Sequence, residues 1–172
     1  MNGLTRCLPL LLIASCTSLP LKASEPDHPE IRQVIESFRT SIIERDKPRF
    51  LGLFLQDNVN WQASMEDESL SRVKVKRPQA IKARINPQNT HLAFADSFAK
   101  DEKRNEETVS NISIDSDGDA ASVGFDYVYL YDGREINRGR EYWLMVRTET
   151  GWKITSVAYS MILPQPAAAS AK

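Results

Sequence analysis

The side chains that could carry out acid–base chemistry are few in this sequence of 172 residues. The candidates are His91, with Asp96 in the same segment, and the two carboxylic acids Asp126 and Glu141, which stand in apolar segments. A histidine or a carboxylic acid in an apolar pocket can act as a general acid or base near neutral pH. His91 and Asp126 are therefore the candidate catalytic residues. The alternative interpretation makes His91 structural or exposed, and makes Asp126 and Glu141 charges that face water at a sheet edge.

Aromatic residues between positions 125 and 144 could form the wall of a ligand pocket. If residues 132–137 close a hairpin, Tyr127 lies opposite Tyr142, and Tyr129 lies opposite Arg140. One face of the hairpin then carries Phe125, Tyr127, Tyr129, Arg140, Tyr142 and Leu144, and the other carries Asp126, Val128, Glu141, Trp143 and Met145. A slip of one residue in the pairing would exchange the two faces.

The phenols and the guanidinium of the first face would orient an anionic or carbonyl-bearing ligand, and the rings would supply apolar contact area. The predicted partner is a small apolar or amphipathic molecule. The predicted ligand-binding residues are Trp61, Tyr127, Tyr129, Arg140, Tyr142 and Tyr159. The alternative interpretation is that the aromatic side chains are core and that Arg140 lies at the rim with its guanidinium in solvent.

Several classes of chemistry lack the residues that they need. With only two histidines and no cysteine beyond Cys16, no metal site is predicted. The segment "DSDGD" (115–119) places its glycine too early for a calcium loop, so it is predicted to be a hairpin turn. There is no Gly-x-Ser-x-Gly motif to indicate a serine nucleophile. There is also no glycine-rich phosphate loop for a nucleotide, and no cofactor is predicted. The 22 basic and 23 acidic residues leave no basic excess for a nucleic-acid partner.

The N-terminus has the pattern of a bacterial export signal, with one arginine, the apolar stretch "CLPLLLIAS" and then small residues. Residues 1–23 form the signal peptide if cleavage follows Ala23; residues 1–15 form it if Cys16 is the lipidated cysteine of a lipobox. Residues 24–27 are a linker. The protein is thus predicted to be periplasmic or lipid-anchored in the outer membrane, and to reach a membrane only through Cys16. Cys7 and Cys16 are the only cysteines, so the mature domain has no disulfide.

Two helices are predicted before the first strand. Asp27 and Glu30 fit a capping box, and an apolar stripe follows at helical spacing, with Ile31, Val34, Ile35, Phe38 and Ile42. A shorter helix restarts at Pro48. The segments that follow are a strand at 59–63, a possible β-hairpin at 64–77, a short helix at 78–84 and a turn at 86–89. For residues 91–98 the pattern leaves helix and strand open.

Four consecutive strands are predicted at 108–114, 120–131, 138–147 and 152–163. The last strand changes phase between Ile154 and Val157, which predicts a bulge that bends it. Helices followed by strands indicate an α+β fold, with a curved antiparallel sheet wrapped around the N-terminal helices. Residues 142–146 ("YWLMV") have no polar face, so both sides of the sheet are expected to be covered.

The segments "DKPRFLGLF", "VNW", "SDGDAASVGFDYVYLYDG" and "GREYWLMVRTETGWKITSVAYSM" resemble the nuclear transport factor 2-like superfamily, also called SnoaL-like or ketosteroid-isomerase-like. The resemblance covers residues 28–164 and leaves a disordered tail at 165–172. It implies a cone-shaped, cystatin-like roll, and often a homodimer through the outer face of the sheet.

This fold houses isomerases, dehydratases, hydrolases and many binding domains, so the resemblance does not fix an activity. In the related enzymes the last strands often supply a carboxylate or an imidazole. Here the last strand offers Thr155, Ser156, Tyr159 and Ser160, which counts against catalysis. The favoured hypothesis is an exported, non-catalytic small-molecule-binding or accessory protein. The alternatives are a small cofactor-independent isomerase, dehydratase or hydrolase acting on an apolar substrate, and a protein-interaction module that uses the outer sheet face.

Overall fold

The computed structural model of the chain describes residues 27–83 and 86–166. The predicted signal peptide, Cys16 and most of the predicted tail lie outside the described residues. Within the two described ranges, no helix is long and apolar enough to cross a membrane.

Two N-terminal helices form one layer of the fold. Helix α1 (Pro29–Glu44) buries the predicted stripe of Ile31, Ile35, Phe38 and Ile42, and α2 (Lys47–Leu51) buries Phe50. The predicted capping box is wrong: the N-cap residue is His28, which makes no side-chain cap hydrogen bond. The Asp27 carboxylate instead accepts a hydrogen bond from Nε of Arg32 at 2.9 Å.

The second layer is a five-stranded sheet with the strand order β1-β5-β4-β3-β2. The strands are β1 (Asn60–Met65), β2 (Asn105–Ser116), β3 (Ala120–Tyr131), β4 (Arg134–Thr148) and β5 (Gly151–Met161). The predicted antiparallel meander of the last four strands is confirmed. The sheet is nevertheless mixed, because β1 pairs in parallel with β5. The architecture is the predicted α+β fold with a curved sheet.

The segment between β1 and β2 is helical, and the predicted β-hairpin at 64–77 is wrong. Helix α3 (Asp67–Lys76) has Glu66 as its N-cap residue. The Glu66 carboxylate accepts hydrogen bonds from the backbone N–H groups of Glu68 and Ser69 at 2.9 and 2.7 Å. Acidic residues fill its first turn and lysines its last, which suits the helix dipole. Residues 91–98, for which the sequence leaves helix and strand open, belong to helix α4 (His91–Lys100), which is capped by Thr90. Residues 78–83 form no helix.

The pairing of β3 with β4 differs from the predicted register. Asp132 and Gly133 form a two-residue turn with φ of 52° and 75°, so β4 begins at Arg134 rather than at Arg138. Tyr127 therefore pairs with Gly139 instead of Tyr142, and Arg140 pairs with Asp126 instead of Tyr129. This odd shift moves the residues of β4 to the opposite faces from those predicted.

One face of the sheet, which we call the inner face, packs against α1 and α4. Trp143, at 1% exposure, is part of this core, and its ring centroid lies 5.0 Å from those of Phe38 and Phe125. The opposite face, the outer face, exposes Tyr142 (54%) and Leu144 (57%). The prediction of a covered strand thus holds for the inner face, whereas the outer face is open in the single chain.

Candidate ligand site

A cavity of about 240 Å³ lies between α4 and the inner face of the sheet. Its lining comes from β1, the turn before α4, α4 itself and the four meander strands. The lining residues are Trp61, Asn89, Phe94, Ser97, Glu107, Tyr127, Tyr129, Asn137, Glu141 and Tyr159. Aromatic rings and carboxylic acids thus share one partly open space.

The aromatic rings form a connected wall. Trp61 stacks on Phe94 with ring centroids 5.7 Å apart, and its edge meets Tyr159 at 6.0 Å. Phe94 lies 5.7 Å from Tyr129 on the other side. Contacts at these distances hold each ring in place, so the wall presents fixed apolar surfaces to a ligand.

Glu141 lies on β4 at the inner face and is only 3% exposed. One carboxyl oxygen, Oε1, accepts a hydrogen bond from the indole Nε1 of Trp143 at 2.5 Å. Burial raises the pKa of Glu141 to about 7, although the indole hydrogen bond acts in the opposite direction. Glu141 therefore exchanges its proton near neutral pH.

Glu107 lies on β2 and is 4% exposed. Its carboxyl oxygen Oε1 is buried and has no hydrogen-bond partner among the described residues. Burial raises the pKa of Glu107 well above its ordinary value, and the nearby charge of Glu141 raises it further, while Arg39 lowers it. A buried polar atom without a partner costs about 1–3 kcal/mol, so this oxygen points to a missing hydrogen-bond partner.

The two tyrosines of β3 donate their hydroxyl protons to protein acceptors. Tyr127 donates to the backbone carbonyl of Ser160 at 3.0 Å, and Tyr129 donates to Oδ1 of Asn105 at 2.6 Å. Burial raises the pKa of both phenols, so they stay neutral. They fix the shape of the wall rather than supply a free proton donor.

Of the six predicted ligand-binding residues, four line the cavity: Trp61, Tyr127, Tyr129 and Tyr159. The other two, Arg140 and Tyr142, are on the outer face, where the guanidinium carbon lies 5.5 Å from the Tyr142 ring centroid. Their placement follows from the shifted register of β4. The cavity therefore lacks the guanidinium that was expected to bind an anion.

Asp126, a predicted catalytic residue, lies on the outer face. Its carboxylate accepts hydrogen bonds from Arg140 at 2.8 Å and from Asn111 at 2.7 Å. The hydrogen bond from Asn111, and after it the one from Arg140, lowers the pKa of Asp126, which makes the group a poor base. Asp126 is therefore not among the residues that line the cavity.

His91, the other predicted catalytic residue, is 1% exposed at the start of α4. Its ring lies 4.4 Å from that of Phe54 and 6.4 Å from that of Trp61, and Nδ1 has no hydrogen-bond partner among the described residues. Burial lowers the pKa of His91, so the ring is neutral at neutral pH. His91 stands behind the Trp61 wall and is not among the residues that line the cavity.

The structure adds cavity residues that the sequence interpretation missed, chiefly Glu107. The alternation in "NEETV" (105–109) could have placed Glu107 beside Asn105 on one strand face. The alternation does not run through the whole strand, however, because a bulge between Ser110 and Ser113 reverses which residues face inward before the turn. Within the described ranges, no group of three or more His, Cys, Asp or Glu residues could hold a metal ion.

Gly139 is needed where β4 meets β5 beside the cavity. A β-carbon at this position would overlap the backbone carbonyl of Ser160, which also accepts the Tyr127 hydroxyl. Gly139→Ala is therefore expected to lower the free energy of unfolding by at least ~2 kcal/mol, because the strand backbone cannot move away without losing pairing. Urea denaturation measures this change.

The matched control is Gly52→Ala, because Gly52 has a helical φ of −63° and a β-carbon there would approach backbone oxygens only to 3.3 Å. Its effect should stay within ~1 kcal/mol. Equal effects of the two substitutions would contradict the close approach at Gly139.

No protein-family model matches the sequence, and no curated protein sequence is similar enough to count as a relative. Solved structures do match. A nuclear transport factor 2-like protein with a cystatin-like fold from Novosphingobium aromaticivorans is 14% identical, with a TM-score of 0.54, over 82% of this chain and 84% of that chain. A nuclear transport factor 2-like protein from Cytophaga hutchinsonii is 13% identical, with a TM-score of 0.54, over 80% and 99%.

A candidate scytalone dehydratase from Novosphingobium aromaticivorans is also similar, at 13% identity and a TM-score of 0.55, over 83% of this chain and 89% of that one. At such identities the likeness concerns the fold alone. The chain has the nuclear transport factor 2-like, cystatin-like fold that the sequence resemblance implied.

Proposed function

We propose that this protein binds a small molecule in the cavity between α4 and the inner face of the sheet. The observation that carries the proposal is the unpartnered carboxyl oxygen of Glu107 in a space walled by aromatic rings. A cavity that served packing alone would be lined by apolar groups or by satisfied polar ones. A ligand that donates a hydrogen bond to Glu107 would satisfy this oxygen.

The size of the cavity limits the ligand. Drug-sized molecules occupy pockets of about 300–1,000 Å³, whereas an apolar cavity of about 150 Å³ can hold benzene. A space of about 240 Å³ therefore fits a single ring with a short substituent. The ring would lie against Trp61 and Phe94, and the polar substituent would reach the carboxylic acids.

The test is a thermal-shift screen of one-ring compounds against the purified protein. Asn137→Trp should fill the cavity from its rim and abolish every shift. Arg138→Trp is the matched control, because the neighbouring side chain on β4 is exposed and points to the other face. A screen in which no compound raises the melting temperature of the wild-type protein, or in which both variants respond equally, would contradict the proposal.

A second candidate function is acid–base catalysis in the same cavity, as in the isomerase, dehydratase or hydrolase hypothesis. The observation that favours it is the buried carboxyl of Glu141 in the cavity lining. Burial raises the pKa of Glu141 to about 7, which suits a group that both accepts and gives up a proton at neutral pH. Glu141 replaces His91 and Asp126 as the candidate for that role. If a bound ligand is converted, Glu141→Gln should abolish turnover while binding remains; if it is returned unchanged, binding is the function.

We also propose that the outer face forms a homodimer interface. Tyr142 and Leu144 are more than half exposed there and line a groove of about 430 Å³. Among the described residues of this groove, every buried side-chain polar atom has a hydrogen-bond partner. Leu144→Asp is expected to shift the protein from dimer to monomer in light scattering, because a carboxylate would be buried against an apolar partner. Val75→Asp, at the exposed surface of α3, is the control. A wild-type protein that is monomeric throughout would contradict this proposal.

The proposed cellular setting rests on the sequence of residues 1–23. We propose that the protein is exported from a bacterial cytoplasm, with cleavage before Ser24 or lipidation of Cys16. Mass spectrometry of the mature N-terminus separates the two processing routes, and an intact Met1 in the isolated protein would contradict both.

A further inference from the structure

Resting on the binding role proposed above, we propose that the cavity selects ligands that carry a protonated amine on a flat apolar body. A cationic ligand differs from the anionic or carbonyl-bearing ligand that the sequence predicts, because the fold places glutamates rather than Arg140 in the cavity lining.

The first observation is the charge of the lining. Glu107 and Glu141 are the charged residue types among the described lining residues, which otherwise comprise three tyrosines, two asparagines, a tryptophan, a phenylalanine and a serine. Arg140, the cation expected there, is held on the outer face by Asp126 at 2.8 Å. Among the described residues that line the cavity, an anion would meet two carboxylic acids and no basic side chain, whereas a cation would meet its counter-ions.

The second observation is the state of the acceptors. Oε1 of Glu141 already accepts the indole N–H of Trp143, but Oε1 of Glu107 is buried without a partner. The hydrogen bonds of Arg39 do not reach this oxygen. Its Nε donates to the backbone carbonyl of Glu107 at 3.2 Å, and its Nη1 donates to the Glu36 carboxylate at 2.6 Å. An ammonium group carries three donors and no acceptor, which matches a site made of carboxyl acceptors.

The third observation is the aromatic wall. Rings of Trp61, Phe94, Tyr129 and Tyr159 line the space beside the carboxylic acids. The face of an aromatic ring attracts a cation electrostatically, and the same rings pack against an apolar ligand body. Rings and carboxylic acids together therefore favour an amine over an alcohol of the same shape.

Binding of an amine should release protons from the carboxylic acids of the cavity. Burial keeps the carboxylic acids at least partly protonated when the cavity is empty, because it disfavours their charged forms. An ammonium ion beside them favours the carboxylates, so up to about one proton leaves for solvent per amine bound. The ligand keeps its own proton, and no covalent bond changes.

The experiment compares three probes with similar bodies: 2-phenylethylamine, 2-phenylethanol and 3-phenylpropanoate. Titration calorimetry near pH 7 is run in two buffers of different ionisation enthalpy, which reports protons released on binding. We expect the amine to bind about tenfold or more tightly than the alcohol, the carboxylate to show no binding, and proton release to accompany the amine alone.

Glu107→Gln is the discriminating variant, because it keeps the shape of the side chain and removes its charge. It should lose the preference for the amine while still binding the alcohol; Glu141→Gln provides the same test should Glu107→Gln fail to fold. Asp126→Asn on the outer face should keep the wild-type preference.

An alcohol that binds as tightly as the amine would overturn this inference and leave the binding role intact. Amine binding that survives Glu107→Gln and Glu141→Gln unchanged would also overturn it. Failure of all three probes to bind would count against the binding role itself.

Discussion

Glutamine in place of Glu141 is expected to make the protein more stable than wild type at about pH 8 and to change it little near pH 4.5. The folded-state pKa of Glu141, about 7, lies above its ordinary value of 4.5. The neutral carboxyl thus contributes stability that is fully present below pH 4.5 and is lost as the pH rises through about 7. A shift of this size corresponds to up to ~3 kcal/mol at about pH 8.

The comparison between variants isolates this effect. His91 has the opposite sign, because its lowered pKa means that its contribution is present above pH 6.5 and lost as the pH falls below that value. His91 is the same in wild type and in Glu141→Gln, so it largely cancels in the difference. The contribution of Glu107 to the pH dependence does not cancel fully, because part of the increase in its pKa comes from Glu141. The double variant Glu107→Gln/Glu141→Gln measures that part.

Urea denaturation at a series of pH values gives the result. Asp126→Asn serves as the control, because the Asp126 carboxyl is on the outer face with a lowered pKa and should not flatten the pH profile. Parallel stability profiles for wild type and Glu141→Gln would show that Glu141 is not buried with a raised pKa.

Trp143→Ala is expected to lower the free energy of unfolding by about 3–5 kcal/mol. Trp143 is 1% exposed, and its ring packs against Phe38 of α1 and Phe125 of β3 with centroids 5.0 Å away. Removal of the ring leaves a cavity between the helix layer and the sheet. Small domains have only about 5–15 kcal/mol in total, so the variant would be close to unfolding.

Trp143→Phe keeps an aromatic ring but removes the donor to Glu141. Because the indole hydrogen bond lowers the pKa of Glu141, its loss should raise that pKa above the wild-type value. Trp152→Phe, which replaces a second buried tryptophan at 7% exposure, is the control and should leave Glu141 unaffected. An unchanged titration of Glu141 in Trp143→Phe would contradict the indole contact.

The elements that could be predicted from the sequence are those with long, regular patterns. The apolar stripe of α1 and the alternating meander from β2 to β5 needed no tertiary information, and they were sufficient to indicate the fold. The segment at 64–77 was misassigned because its strand-like "RVKV" competes with Glu66, whose capping of α3 becomes visible only in the structure. The parallel β1–β5 pair joins residues distant in sequence, which local pattern cannot reveal.

The candidate site was harder to predict because each bulge reverses which residues face inward. Register shifts occur between Ser110 and Ser113 in β2, near Ile136 in β4 and at Thr155 in β5. The phase change of β5 was visible in its own residues, so that bulge was predicted. The turn at Asp132–Gly133 and the shift beside it were not, and Glu141 and Arg140 exchanged faces as a result.

We conclude that two carboxylic acids, Glu107 and Glu141, lie buried in one aromatic cavity. The most direct test is a pH titration of the glutamate side-chain carboxyl carbons by NMR, with Glu107→Gln and Glu141→Gln used to assign the two signals. The structure predicts that the Glu141 signal titrates near pH 7 and that the Glu107 signal titrates well above the ordinary value of 4.5. Titration of both signals at the ordinary value would contradict the claim.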